Sequence, residues 1–93
     1  MNRKVAVIPQ HSKSQISAAQ CRGARAMLGM TQLTLAELSG VSPRAIADFE
    51  VENRKPIKAT LAALQRALET AGVEFTNGGK PGVSLSKRMK RHK

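Results

Sequence analysis

Apolar positions recur along this chain with two different periods, and the change from one to the other falls at Gly72. Before it they follow helical spacing; after it they alternate with polar residues. The first helical stretch opens at Ser17-Ala18-Ala19-Gln20, a capping box in which the serine bonds a helical amide and the glutamine reaches back. It predicts a helix from Ala18 to about Leu28, where Gly29 weakens continuation. Its inner face takes Cys21, Ala24 or the stem of Arg25, and Leu28, with Met27 and Met30 as core or core-edge residues. The last helical stretch runs from Ile57 to Ala71, with Ile57, Leu61, Leu64 and Leu68 on one face, alanines between them, Pro56 before it and Gly72 after it. Beyond Gly72, Val73 and Phe75 alternate with Glu74, and Val83 and Leu85 with Ser84. The turn-forming run Asn77-Gly78-Gly79-Lys80-Pro81-Gly82 separates them, so the pattern predicts a β-hairpin. A lone hairpin is marginal in water, so this one must pack on the helices or pair with a second copy.

Between the two outer helices, Thr31–Glu50 reads as two short helices joined by a tight turn. Thr31 is a good N-cap, Leu35, Ala36 and Leu38 recur at helical spacing, and Gly40 takes the left-handed conformation that ends a helix. A new helix starts almost at once: Ser42 caps its first amides, Pro43 is preorganised for the first turn, and Ile46 with Phe49 supplies the next buried stripe. That is the geometry of a helix-turn-helix. Helices this short bury too little alone, so the flanking helices must close the core. The fold class expected is mainly α: a compact four-helix helix-turn-helix domain over residues 15–72, a β-hairpin over 73–86 that is the candidate dimerisation element, a flexible basic arm over 1–14 and a basic tail over 87–93.

Charge adds a partner to this picture. The net charge of +10 is unevenly spread: residues 1–13 carry three basic side chains and no acid, and residues 78–93 carry six and no acid. The intervening body is close to neutral, with seven basic side chains against six acids. Basic ends favour a polyanion, nucleic acid before an anionic membrane. No apolar run is long enough to span a bilayer, and the apolar patch Val5–Ile8 is too short for a secretion signal. A cytoplasmic, nucleoid-associated protein is expected. The single cysteine excludes an internal disulfide and fits a reducing compartment.

At this point the segment from about Ser17 to Ala71 resembles the Cro and phage-repressor type helix-turn-helix domain, the Xre family. The resemblance rests on Arg25, Gln32, Leu35-Ala36, Gly40-Val41-Ser42, Ile46, Glu50 and the E-x-x-x-R-x-P connector of Glu50, Arg54 and Pro56. The LETAGVEF and GVSL segments look like a C-terminal extension of small bacterial members. The chain departs from the family pattern at Glu52, where glycine is frequent.

The resemblance implies that the second motif helix, 43–50, lies in the major groove while the first crosses the backbone. Ser42, Pro43, Arg44 and Asp48 are then the base-contacting candidates. Arg44 can bond both acceptors of a guanine, and Pro43 offers an apolar surface to a thymine methyl. Asp48, one turn on, either orients Arg44 or accepts from cytosine N4; orientation is favoured because phosphates repel an unpaired carboxylate. Gln32 is the candidate phosphate anchor, since it opens a helix whose free amides suit an anion, joined by Ser42, Asn53, Arg54 and Lys55. Arg25 and Glu50 resemble the family's structural ion pair, bridging the first helix to the end of the recognition helix.

No catalytic constellation, metal-ligand spacing or cofactor-binding loop is legible. His11 and His92 have no partner at ligand spacing, and Cys21 reads as a small core residue. The function expected is sequence-specific, double-stranded-DNA-binding transcriptional regulation, a repressor acting as a homodimer on a pseudo-palindromic operator. One alternative is an antitoxin-like protein that binds a toxin partner and autoregulates its operon. Another is an RNA or nonspecific nucleoid binder that relies on the tails.

Overall fold

The computed structural model describes residues 15–77 and 79–86, in which four α-helices precede a two-stranded antiparallel hairpin. The expected arm, 1–14, the tail, 87–93, and both histidines lie outside the described residues. Helix α1 (Ala18–Leu28) starts with the capping box intact: Ser17 Oγ accepts from Gln20 N–H at 3.1 Å, and Gln20 Oε1 accepts from Ser17 N–H at 2.9 Å. It ends at Gly29, whose φ of 64° lets the Gly29 and Met30 amides turn back onto Ala26 and Arg25.

Helix α2 (Gln32–Ser39) is capped by Thr31, and Gly40, at φ 79°, ends it in the left-handed conformation the sharp turn requires. Ser42 caps α3 (Pro43–Glu50) through Ala45 N–H at 3.1 Å. Helix α4 spans Lys58–Ala71, and strands β1 (Val73–Thr76) and β2 (Gly82–Leu85) close the chain with Val73 opposite Leu85 and Phe75 opposite Val83.

Leu35, Ile46, Leu64 and Leu68 are fully enclosed at the centre of the core, together with Cys21 and Ala24 of α1. Helix α4 packs on α2 and α1, and α1 in turn carries α3 and both strands of the hairpin. Of the two fates open to the hairpin, packing on the helices is therefore realised: Phe75, Val83 and Leu85 lie against the core. Ile16, just before the first cap, is buried as well.

Three apolar positions depart from expectation, two through their angle round a helix and one through its place just outside a helix. In α1 the buried arc centres near Cys21, Ala24 and Leu28, and Met27 lies about 95° round the helix from it, at 100° per residue. Met27 is accordingly 45 % exposed. Leu38 is displaced by about 110° from the midpoint of Leu35 and Ala36, and it too faces outward. Ile57 does not join the stripe of Leu61, Leu64 and Leu68: it is the extended N-cap of α4, one residue outside the helix, and its side chain is exposed.

Candidate nucleic-acid interface

The exposed end of α3 is built by its cap and its amphipathic pattern. Ile46, Phe49 and Glu50 turn inward, which leaves Ser42, Pro43 and Arg44 on the surface at the start of the helix. Arg44 is 87 % exposed, and its Nε lies 3.7 Å from an Asp48 carboxylate oxygen one turn along. Asp48 also lies 3.5 Å from Asn53 Nδ2. Four of the candidate residues are thus side by side: a guanidinium, the acid beside it, the amide beyond that acid, and the capping hydroxyl. Ser42 Oγ accepts from Ala45 N–H and keeps its own O–H to donate.

Gln32 opens α2, and its side-chain Nε2 donates to Glu50 Oε1 at 2.9 Å. An amide nitrogen has two hydrogens, so this bond leaves Gln32 a second donor. Arg54 and Lys55 are exposed and border a groove that also includes Ser17, Ala18 and Ala19 at the start of α1.

What holds α3 at this angle is Glu50, buried at 2 % exposure and saturated with donors. Oε1 accepts from Arg25 Nη2 at 2.6 Å and from Gln32 Nε2 at 2.9 Å. Oε2 accepts from Arg25 Nε at 2.7 Å and from the Cys21 thiol at 3.2 Å. Arg25 meets the carboxylate with two parallel N–H bonds, and its Nη1 reaches Met30 O at 2.9 Å. The Arg22 guanidinium donates to the Glu50 carbonyl. One acid thereby joins α1, α2 and the end of α3. Burial pushes its carboxyl up, but the bonds from Arg25, Gln32 and Cys21, with the Arg25 charge, more than offset that and hold it below the ordinary glutamate range. The Cys21 thiol is pushed well above its usual value by burial first, then by its bond to Glu50 and that carboxylate's charge.

The α3 exit uses a second device. Glu52 N–H bonds Phe49 O and Asn53 N–H bonds Asp48 O at 2.8 Å, with Glu52 in the left-handed region at φ 59°. This is the same closure Gly29 makes after α1, here carried by a residue with a side chain.

Several working residues are not legible in the sequence. Gln20 reads there as a capping residue, yet its Nε2 also donates to Thr76 O, Asn77 Oδ1 and Gly82 O, at 3.1, 3.2 and 2.9 Å. The signal lies in its chemistry: a capping-box glutamine uses its oxygen and leaves an NH₂ group to place. The Cys21 and Arg22 bonds to Glu50 have no such signal. Among the described residues no group of His, Cys, Asp and Glu could hold a metal ion, and no helix is long and apolar enough to cross a membrane.

A family model described as helix-turn-helix matches residues 22–75, from the second turn of α1 into β1. No curated protein matches the chain.

Proposed function

The chain belongs to the Cro/C1-type helix-turn-helix family, and from that premise we propose that it is a repressor that binds a pseudo-palindromic operator as a homodimer. Membership itself makes it a DNA-binding regulator of transcription; the residue roles, the repression and the two-fold assembly are the proposal. The observation that carries it is Arg44, exposed beside Asp48 at the start of an α3 that Glu50 fixes to two other helices.

In this reading α3 enters the major groove. Arg44 donates two bonds to a guanine while Asp48 holds its guanidinium in line, and Pro43 and the Ser42 O–H meet neighbouring base edges. Gln32, Ser42, Asn53, Arg54 and Lys55 contact phosphates and set register. Gln32 gains weight from its bond to Glu50, because a phosphate bound there is coupled to the element that positions α3. A single domain of this size reads few base pairs, and a two-fold pair doubles the number read.

The test is selection of binding sites from random double-stranded DNA. An inverted repeat is expected. With Arg44→Ala the preference at one guanine of each half-site should relax, at a cost of roughly 1–3 kcal/mol. An unchanged sequence preference would remove the assignment of α3 as reader.

A second reading, an antitoxin-like protein that also binds a toxin partner, draws support from the exposed Leu38 beside a groove lined by Ala63, Arg66 and Ala67 of α4. Co-purification with the product of an adjacent small reading frame, abolished in Leu38→Glu, is its signature.

A further inference from the structure

The hairpin is a sheet of two strands only, so each strand has one paired edge and one outer edge. Which backbone groups face outward follows from one bond. Ser86 N–H donates to Gly72 O at 2.8 Å, which makes Gly72 and Ser86 a hydrogen-bonded pair. Pairs alternate along an antiparallel ladder. Glu74–Ser84 and Thr76–Gly82 are then hydrogen-bonded pairs as well, while Val73–Leu85 and Phe75–Val83 turn their N–H and C=O groups outward. Among the described residues no hydrogen bond reaches the outward groups of Val83 and Leu85.

The two outer edges differ in chemistry. Exposed edges are ordinarily protected by charge, proline or a bulge. The middle of β1 carries Glu74, exposed on the outer face, and α4 packs beside that strand. β2 and the residue after it, Gly82-Val83-Ser84-Leu85-Ser86, have no charge and no bulge. Pairing β1 with itself sets Glu74 against Glu74 of the second copy, and like charges directly opposite repel. Pairing β2 with itself sets Ser84 against Ser84.

We propose that β2 pairs antiparallel with β2 of a second copy of this chain about a two-fold axis at Ser84, giving a continuous sheet in the order β1-β2-β2-β1. This rests on the two-fold assembly in the regulator reading above, and it names the surface and register. With the axis at Ser84, Val83 of each copy pairs with Leu85 of the other, and all the outward groups of both residues are satisfied. A shift towards the turn sets Leu85 against Pro81, which has no N–H to give. The same register keeps Phe75, Val83 and Leu85 of both copies on the face that meets α1 and leaves Ser84 on the solvent face. A two-stranded hairpin, marginal alone, becomes a sheet of four.

Ser84 opposite itself is a non-hydrogen-bonded pair, with Cα atoms about 4.5 Å apart, within disulfide reach. Full-length Ser84→Cys should therefore cross-link to a dimer on mild oxidation, while Glu74→Cys stays monomeric. Ser84→Lys faces Glu74 favourably inside its own hairpin and repels its counterpart across the axis. It should keep the circular dichroism of the parent and raise the dimer dissociation constant at least tenfold by light scattering. A parent chain that is monomeric at several hundred micromolar, a Glu74→Cys cross-link without one at Ser84, or a dimer indifferent to Ser84→Lys overturns the proposal. If such a dimer still selects an inverted repeat read by Arg44, the regulator reading stands and only this interface fails. If Ser84→Cys cross-links but no base preference appears, the interface stands and the regulator reading fails.

Discussion

Glu50 concentrates more of the molecule's stability than any surface ion pair can. Four donors converge on a carboxylate that is almost wholly enclosed, and removing it strands Arg25 in a partly buried site. Breaking such a pair costs about 3–5 kcal/mol. Glu50→Gln is expected to show a loss of that order in urea unfolding, with Arg44 still in place but specific DNA binding weakened, because α3 has lost its tether. The acid also sets a pH dependence. Its folded value is lowered, so its contribution is complete above the ordinary glutamate range, near pH 4.3, and is lost progressively as pH falls below it. Denaturation midpoints measured from pH 7 downwards should fall over that window in the parent and fall less in Glu50→Gln. The sequence makes the partners Arg25 and Glu50 legible through the family pattern. It does not reveal that Gln32 and Cys21 share the carboxylate, because three helices must be folded together before those side chains meet.

The boundaries of the helices are legible because they are written locally. Ser17 and Gln20, Thr31, Ser42 with Pro43, and the glycines 29, 40 and 72 each act within a turn of their own position. Burial is less legible: Met27 and Leu38 are apolar yet outward because a short helix buries an arc set by its neighbours, and Ile57 is outward because it stands one residue outside α4. The hairpin's seat is hidden for the same reason, since Gln20 meets Thr76 and Gly82 only after the chain has folded back. Gln20→Glu separates the two functions of that residue. A carboxylate still accepts from Ser17 N–H but has no N–H for the carbonyls, so helix content should persist while the amides of β1 and β2 exchange faster with deuterium. At the exit of α3, Glu52 holds a left-handed conformation that disfavours a Cβ. Glu52→Gly should raise stability by roughly 1 kcal/mol, read as an increase in Tm.

At the scale of the whole chain, the proposed function assigns specificity and bulk attraction to different parts. The near-neutral helical body presents Arg44, while residues 87–93 hold five basic side chains, Lys87, Arg88, Lys90, Arg91 and Lys93, in the segment outside the described residues. Truncation after Ser86 is expected to weaken binding to all sequences alike and to flatten the salt dependence, by about 0.9 in the logarithmic slope for each phosphate that is no longer neutralised. The preferred site should not change. A titration of operator and scrambled duplexes at several salt concentrations checks both outcomes, and Lys90→Ala alone should lower the slope by about one unit.

The thiol under Glu50 has a practical consequence. Cys21 is the chain's single cysteine, and it is fully enclosed where α1 meets the end of α3. A thiol reagent can reach it only when those helices separate, so the rate at which the unmodified protein takes up label is a chemical clock for that separation. DNA that holds α3 in place should slow the clock; DNA that is gripped only by the basic tails should leave it running at its original rate.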